Sequence, residues 1–144
     1  MYEMRDITHG DENKWETDKY EMNLTVSADQ TSVSGFIKFY FYGKEEWVVT
    51  IKNGTAHLSN CKWDEYLPQI IIMLRSFPIH TLEIEYRRQT TIVFLIRYGK
   101  LLRKKDDYYH DLVAESLKRC LEWKASNWEQ WKNQKIEDFL EEEP

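Results

Sequence analysis

The residue types best suited to chemistry cluster in the run 106–110, which reads Asp-Asp-Tyr-Tyr-His. If a helix begins here, Asp106 or Asp107 falls about one turn from His110, and a carboxylate and an imidazole at that spacing can share a metal ion or a proton. One turn supplies too few ligands for a stable metal centre, and acids at a helix N-terminus are already explained by the helix dipole. The pattern therefore favours a helix start, and we predict no bound metal.

Other signatures of catalysis do not appear in the sequence. The pairs Gly43-Lys44 and Gly99-Lys100 lack the upstream glycine and the following Ser or Thr of a phosphate-binding loop. Cys61 and Cys120 form no CxxC pair, and no neighbouring histidine is predicted to activate either thiol. His57 stands alone beside a predicted turn, as surface histidines do. We predict reduced cysteines, no catalytic residue and no cofactor.

Positive charge is concentrated between Tyr86 and Lys105, where no acid occurs. Such a stretch can bind nucleic-acid phosphates while neighbouring tyrosines stack on bases. It can also be neutralised within the fold by acidic segments, and the formal net charge of −5 favours this second interpretation. The residues of the nucleic-acid interpretation are Arg87, Arg88, Arg97, Lys100, Arg103, Lys104 and Lys105.

Large aromatic rings are unusually frequent, because six Trp, nine Tyr and six Phe make up 15% of the 144 residues. Trp128 and Trp131 fall on one face of a predicted C-terminal helix, and Trp123 is rotated away from them. Rings at such spacing either cover the edge of a core or anchor a protein partner, with nearby carboxylates facing a basic cleft. The predicted partner-binding residues are Trp123, Trp128, Trp131, Phe36, Tyr40, Tyr42, Glu137, Asp138, Glu141 and Glu142.

Six segments have the composition and alternation of β-strands. They span residues 20–26, 33–42, 47–51, 55–59, 82–86 and 90–98. The pair Asn53-Gly54 suits a type I′ turn and predicts a hairpin between the third and fourth segments. The turn 87–89 predicts a second hairpin. Segment 90–98 is apolar on both sides, which predicts a strand in the middle of the sheet or one covered on both faces.

Two further segments show helical periodicity. An apolar stripe that begins within Trp63–Leu67 and continues to Phe77 predicts a short helix that ends at Pro78, with Pro68 in its first turn or a short turn before it. A basic connector at 99–105 then leads to a longer helix that begins near Asp107. A capping box at Ser126 and Glu129 would divide this longer helix.

The order of these elements, βββ β α ββ α, predicts an α+β fold. We expect an antiparallel sheet of about six strands, with a short central helix and a long C-terminal helix packed on one face. We also expect an acidic N-terminal arm at 1–19, a single domain at 20–140 and a frayed acidic tail at 141–144. The start of the chain shows no apolar signal region, and the longest apolar run, 70–74, is too short to cross a bilayer. A cytoplasmic protein that does not bind membranes is therefore expected.

Together these features predict a non-catalytic, acidic, aromatic-rich module that binds another protein. Its expected role is that of an inhibitor or neutraliser, of the toxin-immunity or phage anti-defence type. One alternative is a nucleic-acid-binding protein that uses the basic stretch 87–105. A second is a small-ligand or enzyme domain whose site is dispersed along the chain and lined by residues such as His57, Cys120 or Tyr109. The sequence leaves the partner and the oligomeric state open.

Overall fold

The computed structural model describes the backbone of residues 2–5, 9–10, 19–41, 45–59 and 63–144, and the side chains of residues 20–40, 48–59 and 63–144. Within these ranges the two α-helices are α1, Trp63–Leu74, and α2, Tyr108–Asn127. Two 3₁₀ helices, Glu129–Trp131 and Ile136–Asp138, follow α2. The strands are β1 Tyr2–Arg5, β2 His9–Gly10, β3 Lys19–Val26, β4 Val33–Phe41, β5 Glu45–Lys52, β6 Thr55–Leu58, β7 Thr81–Tyr86, β8 Thr90–Arg97, β9 Lys100–Arg103 and β10 Leu140–Glu142.

One mixed sheet organises the chain. Eight strands, β3 to β10, lie side by side in sequence order, and β1 and β2 both extend the sheet by pairing with β3. Two neighbouring pairs, β6–β7 and β9–β10, are parallel, and the other described pairs are antiparallel. Parallel neighbours need a crossover connection, which α1 and α2 supply. The α+β class is confirmed, whereas the expected antiparallel sheet of about six strands matches only roughly.

Four strands lie in segments for which we predicted none. Strand β9 falls in the expected basic connector, and β10 begins at Leu140 and continues into the expected acidic tail. Their apolar residues Leu101 and Leu140 are neighbours in the parallel β9–β10 pair. Each of these two short charged segments is therefore the pairing partner of the other. Strands β1 and β2 likewise lie within the predicted N-terminal arm. The rest of that arm, residues 1, 6–8 and 11–18, lies outside the described residues.

Both predicted hairpins are present. Asn53 and Gly54 have φ angles of 48° and 81° between β5 and β6, as a type I′ turn requires. Arg87 and Arg88 have φ angles of 50° and 58° between β7 and β8. The sequence was therefore sufficient to predict these two connections.

The core lies between one face of the sheet and the two helices. On each central strand every second side chain is buried, as in Ile37 and Phe39 of β4 and Ile92 and Phe94 of β8. Within the described residues, neither helix has the length and continuous apolar character that a membrane span requires.

Helix α1 begins earlier than its proline suggests. It starts at Trp63 and holds Pro68 inside, where the missing N–H leaves the Asp64 carbonyl without its usual helical donor. The carbonyl oxygen of Asp64 instead accepts hydrogen bonds from Ser116 Oγ, at 3.4 Å, and from Cys120 Sγ. Because both donors lie on α2, the Asp64 carbonyl that Pro68 leaves without a helical donor links α1 to α2.

Helix α2 begins after Asp107 and ends near Ser126, as predicted, but its end is not formed in the predicted way. Asp107 Oδ1 accepts the backbone N–H of His110 at 3.0 Å. At the other end, the hydroxyl of Ser126 donates to the carbonyl of Glu122, so the expected capping box is not formed there. The helix ends at Asn127, and 3₁₀ turns follow in place of a second α-helix.

Candidate docking surface

The sheet face that points away from the helices is covered by neither of them; we call it the outer face. On this face β8, the third strand from the β10 edge, exposes Val93 and Leu95, with 43% and 52% of their surface accessible. The apolar character of both sides of segment 90–98 predicted a strand inside the sheet or one covered on both faces, and β8 does lie between β7 and β9. The alternative of cover on both faces is wrong for the described part of the chain, since one side of β8 faces outward.

A short aliphatic strip runs across the outer face. Leu102 of β9 lies directly opposite Leu95, and residues paired in this way share a face of the sheet. Leu102 is 9% exposed and lies beside the more exposed Leu95. We call Val93, Leu95 and Leu102 the outer strip.

One end of the outer strip is acidic. Glu83 lies opposite Val93, and Glu85 lies opposite Thr91 one pair further along β7. Both carboxylates flank the ring of His57 on β6, with Glu83 Oε1 3.4 Å from Nδ1 and Glu85 Oε2 3.8 Å from Nε2. Because the carboxylates approach opposite nitrogens, the three groups do not converge on one point as metal ligands do. Within the described residues, no cluster of three or more potential ligands could hold a metal ion.

The other end of the outer strip is basic. Arg97 and Lys100 lie opposite each other on β8 and β9. Arg97 Nη2 is 3.1 Å from Glu141 Oε2 of β10, and the Arg97 side chain remains 45% exposed. The outer strip thus has the carboxylates of Glu83 and Glu85 at one end and, at the other, two cations beside the single carboxylate of Glu141, with aliphatic side chains between them.

The predicted basic stretch does not form a single patch. Arg87 and Arg88 lie in the turn before β8, whereas Arg97 and Lys100 lie at its far end. Arg103 points to the helical side, where its Nη2 is 2.5 Å from Asp111 Oδ1 of α2. The remaining cations of the stretch, Lys104 and Lys105, are exposed just before α2.

The three predicted tryptophans surround a lysine. Trp123 is 55% exposed, Trp128 is half-buried and Trp131 is 5% exposed. The ammonium of Lys124, itself 1% exposed, lies 6.0, 5.3 and 5.2 Å from the three ring centroids and donates to Gln69 Oε1 at 3.0 Å. Only Trp123 lies on α2, so the expectation that Trp128 and Trp131 share a face of that helix is wrong. The cluster therefore joins the end of α2 to α1 through a buried cation.

Two of the three predicted aromatic residues of β4 lie on the outer face. Phe36 and Tyr40 are half-buried there, and Lys38 Nζ is 5.5 Å from the ring centroid of Phe36. The third, Tyr42, lies outside the described residues.

The predicted acids are spread over different parts of the fold. Glu141 points to the outer face beside Arg97, whereas Glu142 lies opposite Arg103 on the helical side. Glu137 is exposed on a 3₁₀ turn, and Asp138 Oδ2 of the same turn accepts the backbone N–H of Lys135 at 3.0 Å. These carboxylates do not form one continuous acidic surface.

An open groove between α1 and α2 is the nearest counterpart of the expected small-ligand pocket. It consists of two clefts of about 390 and 410 Å³ that share Asp64 and Arg119. Cys120 lines the second cleft, but burial raises the pKa of its thiol to about 11. A thiol with that pKa is protonated near neutral pH and is a poor nucleophile. Neither His57 nor Tyr109 lines these two clefts.

No protein-family model, no curated protein and no solved structure matches this chain. Reasoning from sequence missed Val93 and Leu95 as surface residues. The apolar character of both sides of segment 90–98 was the signal that could have identified these surface residues. Such a segment is expected of a strand covered on both faces, and also of a strand whose exposed side binds a partner.

Proposed function

We propose that the chain is a protein-binding module that docks a partner on the outer strip and inhibits or neutralises it by covering its surface. The observation that carries the proposal is the exposure of Val93 and Leu95 in the middle of β8, an internal strand, on a sheet face that neither helix covers. Adjoining exposed aliphatic side chains that are bordered by charges are typical of an interaction site.

The rigidity of the outer face supports this role. Val93 and Leu95 are held by a strand with a neighbour on each side, and Leu102 packs beside them. A preorganised surface loses little conformational entropy when it binds, so a small aliphatic strip can contribute more affinity than it would on a loop. The charged groups at its two ends would set the orientation of the partner and its rate of encounter.

The described titratable groups give more support to binding than to catalysis. His57 is flanked by carboxylates on an open face. The Cys120 thiol has a raised pKa and donates a hydrogen bond to the Asp64 carbonyl. Neither arrangement pairs a nucleophile with a base above an enclosed pocket. Inhibition by steric cover needs no such pair.

The test is capture of a partner by the immobilised full chain and by two matched variants. In Leu95→Lys a charge replaces the most exposed residue of the outer strip. In Ile72→Lys the same change is made on α1, at a large apolar residue that is 38% exposed on the other side of the molecule. We expect the wild-type chain and Ile72→Lys to retain the same protein in a stoichiometric amount from a lysate of the cells that encode the chain, and Leu95→Lys to lose it.

Two results would contradict the proposal. One is equal capture by Leu95→Lys and the wild-type chain, with both variants shown to be folded by circular dichroism. The other is loss of all captured material after nuclease treatment, which would favour the nucleic-acid alternative. Inhibition itself is then measured as loss of the captured protein's activity on addition of the wild-type chain.

A further inference from the structure

The outer face is complementary to itself. Along β8 and its neighbours, Glu83 and Glu85 lie at one end of the outer strip and Arg97 and Lys100 at the other. A surface with opposite charges at its two ends can meet an identical surface turned end to end. We infer that, when the partner is absent, the outer face binds the outer face of a second copy of this chain. This inference rests on the proposed function, since it assigns a second occupant to the same strip.

A two-fold axis defines the arrangement. The axis lies between the two outer faces, close to Leu95, and crosses the strands obliquely. It reverses the strand direction of the second copy, so that Glu83 and Glu85 of each copy face Arg97 and Lys100 of the other. Each charge contact therefore occurs twice, and the aliphatic strips meet between them. Sheets that pack face to face usually lie about 30° from alignment, which an oblique axis allows.

The internal ion pair of Arg97 is compatible with this contact. Arg97 Nη2 is 3.1 Å from Glu141, and the side chain is still 45% exposed. A guanidinium has five N–H donors, so it can bind one carboxylate within its own chain and another across an interface.

The size of the face indicates a weak dimer. Eight strands about 4.8 Å apart and about six residues long give a face of roughly 34 by 20 Å, or about 700 Å² per copy. Stable complexes of standard size bury about 800 Å² per partner, and at this size affinity depends on a few well-packed anchors. With Val93 and Leu95 as the exposed anchors, we expect a dissociation constant of about 10 to 100 µM. A partner that binds more tightly would displace the second copy, and the outer strip would stay covered in both states.

Sedimentation velocity of the purified full chain tests the inference. Over concentrations from about 1 µM to about 1 mM, we expect the wild-type chain to shift from monomer to dimer. Leu95→Lys should remain monomeric over this range, and Ile72→Lys should dimerise as the wild-type chain does.

Charge-reversal variants test the predicted orientation. The double variant Glu83→Lys/Glu85→Lys has cations at both ends of the strip, and Arg97→Glu/Lys100→Glu has carboxylates at both ends. Each should dimerise at least about tenfold more weakly than the wild-type chain, and an equal mixture of the two should form a heterodimer. The control Glu115→Lys/Glu122→Lys changes the net charge by the same amount as the first variant, but at exposed positions of α2. It should dimerise like the wild-type chain.

The outcomes separate this inference from the proposed function. A wild-type chain that stays monomeric to about 1 mM, or a mixture of charge variants that fails to associate although each is folded, overturns the dimer. If Leu95→Lys still loses the captured partner in that case, the docking function stands alone. A wild-type dimer that captures no protein supports the dimer and contradicts the docking function.

Discussion

Asp29, in the turn between β3 and β4, has a lowered pKa because neighbouring residues donate hydrogen bonds to its carboxylate. Its Oδ1 accepts hydrogen bonds from the hydroxyl groups of Ser27 and Thr31, both at 2.7 Å, and from the N–H of Thr31 at 3.1 Å. These bonds favour the carboxylate and lower the pKa of Asp29 from 3.8 to about 2. Because the folded state has the lower pKa, the contribution to stability is complete above the unfolded pKa and is lost as the pH falls to about 2.

We therefore predict that Asp29→Asn loses less stability than the wild-type chain when the pH is lowered from about 4 to about 2. The measurement is the urea midpoint of both proteins across that interval, with the pKa of Asp29 read directly from its carboxyl carbon by NMR. Parallel midpoint curves for the two proteins would show that these hydrogen bonds do not stabilise the carboxylate in solution.

His110 completes the β8–β9 pairing where β9 ends. Its Nδ1 accepts the backbone N–H of Lys104 at 2.8 Å, which places the ring proton on Nε2, and Nε2 donates to the carbonyl of Val93 at 3.0 Å. Val93 and Lys104 are the backbone groups that would pair next if β9 continued. The ring is 4% exposed and stacks on Phe94 with its centroid 4.0 Å away.

Replacing His110 with phenylalanine should leave both backbone groups without a partner, at a cost of about 2 kcal/mol or more in the free energy of unfolding. His110→Gln is the matched control, because its amide supplies one acceptor and one donor. We expect it to lose less stability than His110→Phe in urea unfolding. The opposite order would mean that stacking on Phe94 matters more than the hydrogen bonds.

At the level of single residues, the sequence was informative where a residue acts on its close neighbours. The helix start at Asp107 and the Asn53-Gly54 turn depend on contacts within three residues, and both were predicted correctly. His110 also follows the helix start, but its role depends on Val93, which is 17 residues away. No local pattern could indicate that contact, because it depends on where β9 ends.

At the level of elements, Pro68 creates a testable coupling between α1 and α2. Removing both α2 donors, in Ser116→Ala/Cys120→Ala, leaves the Asp64 carbonyl without a partner and should cost about 1 to 2 kcal/mol. In a Pro68→Ala background the restored N–H at position 68 can bond to the same carbonyl. The cost of losing the two donors should then fall by about 1 kcal/mol.

Urea unfolding of the four proteins in this cycle measures the coupling directly. The absolute effect of Pro68→Ala also includes the loss of a buried ring and the gain in helix propensity, but these terms cancel in the cycle. An equal cost in both backgrounds would show that Ser116 and Cys120 do not substitute for the missing helical bond.

The sequence predicted whole elements well where they have strong periodicity and poorly where they are short. Strands β3 to β8 and both helices have apolar alternation or stripes that local reasoning can detect. In β9 and β10 only three leucines lie among charged residues, and each strand depends on the other for its pairing. The break of the long helix near Ser126 was predicted, but the 3₁₀ turns that follow it in place of a second α-helix were not.

At the level of the whole molecule, both parallel pairs arise because a helix carries the chain from one strand to its immediate neighbour. Local sequence specifies strand and helix but not the direction in which a strand joins the sheet, so the parallel pairs β6–β7 and β9–β10 could not be predicted. The two crossover helices also explain why the outer face is uncovered. Both helices return across one side of the sheet, and Val93 and Leu95 are left uncovered on the other.

The pairing of β10, the last strand in chain order, with β9 gives a prediction for the whole fold. A chain that ends after Phe139 loses β10, including the contact of Leu140 with the core and the bond from the N–H of Glu143 to the carbonyl of Arg103. The edge of β9 is then open to solvent, and the fully buried Phe139 becomes the last residue. We expect the truncated chain to unfold about 2 to 4 kcal/mol more easily and to aggregate more readily, because an unpaired strand edge can recruit other chains.

The control is Glu141→Gln, which removes the ion pair with Arg97 but keeps β10. Because an exposed ion pair contributes about 0 to 1 kcal/mol, this variant should unfold nearly as the wild-type chain does. Urea unfolding gives the free energies, and light scattering during refolding gives the aggregation. If truncation and Glu141→Gln have equal effects, the Glu141–Arg97 pair and not the β9–β10 pairing accounts for the contribution of the last residues, and the sheet is effectively complete at β9.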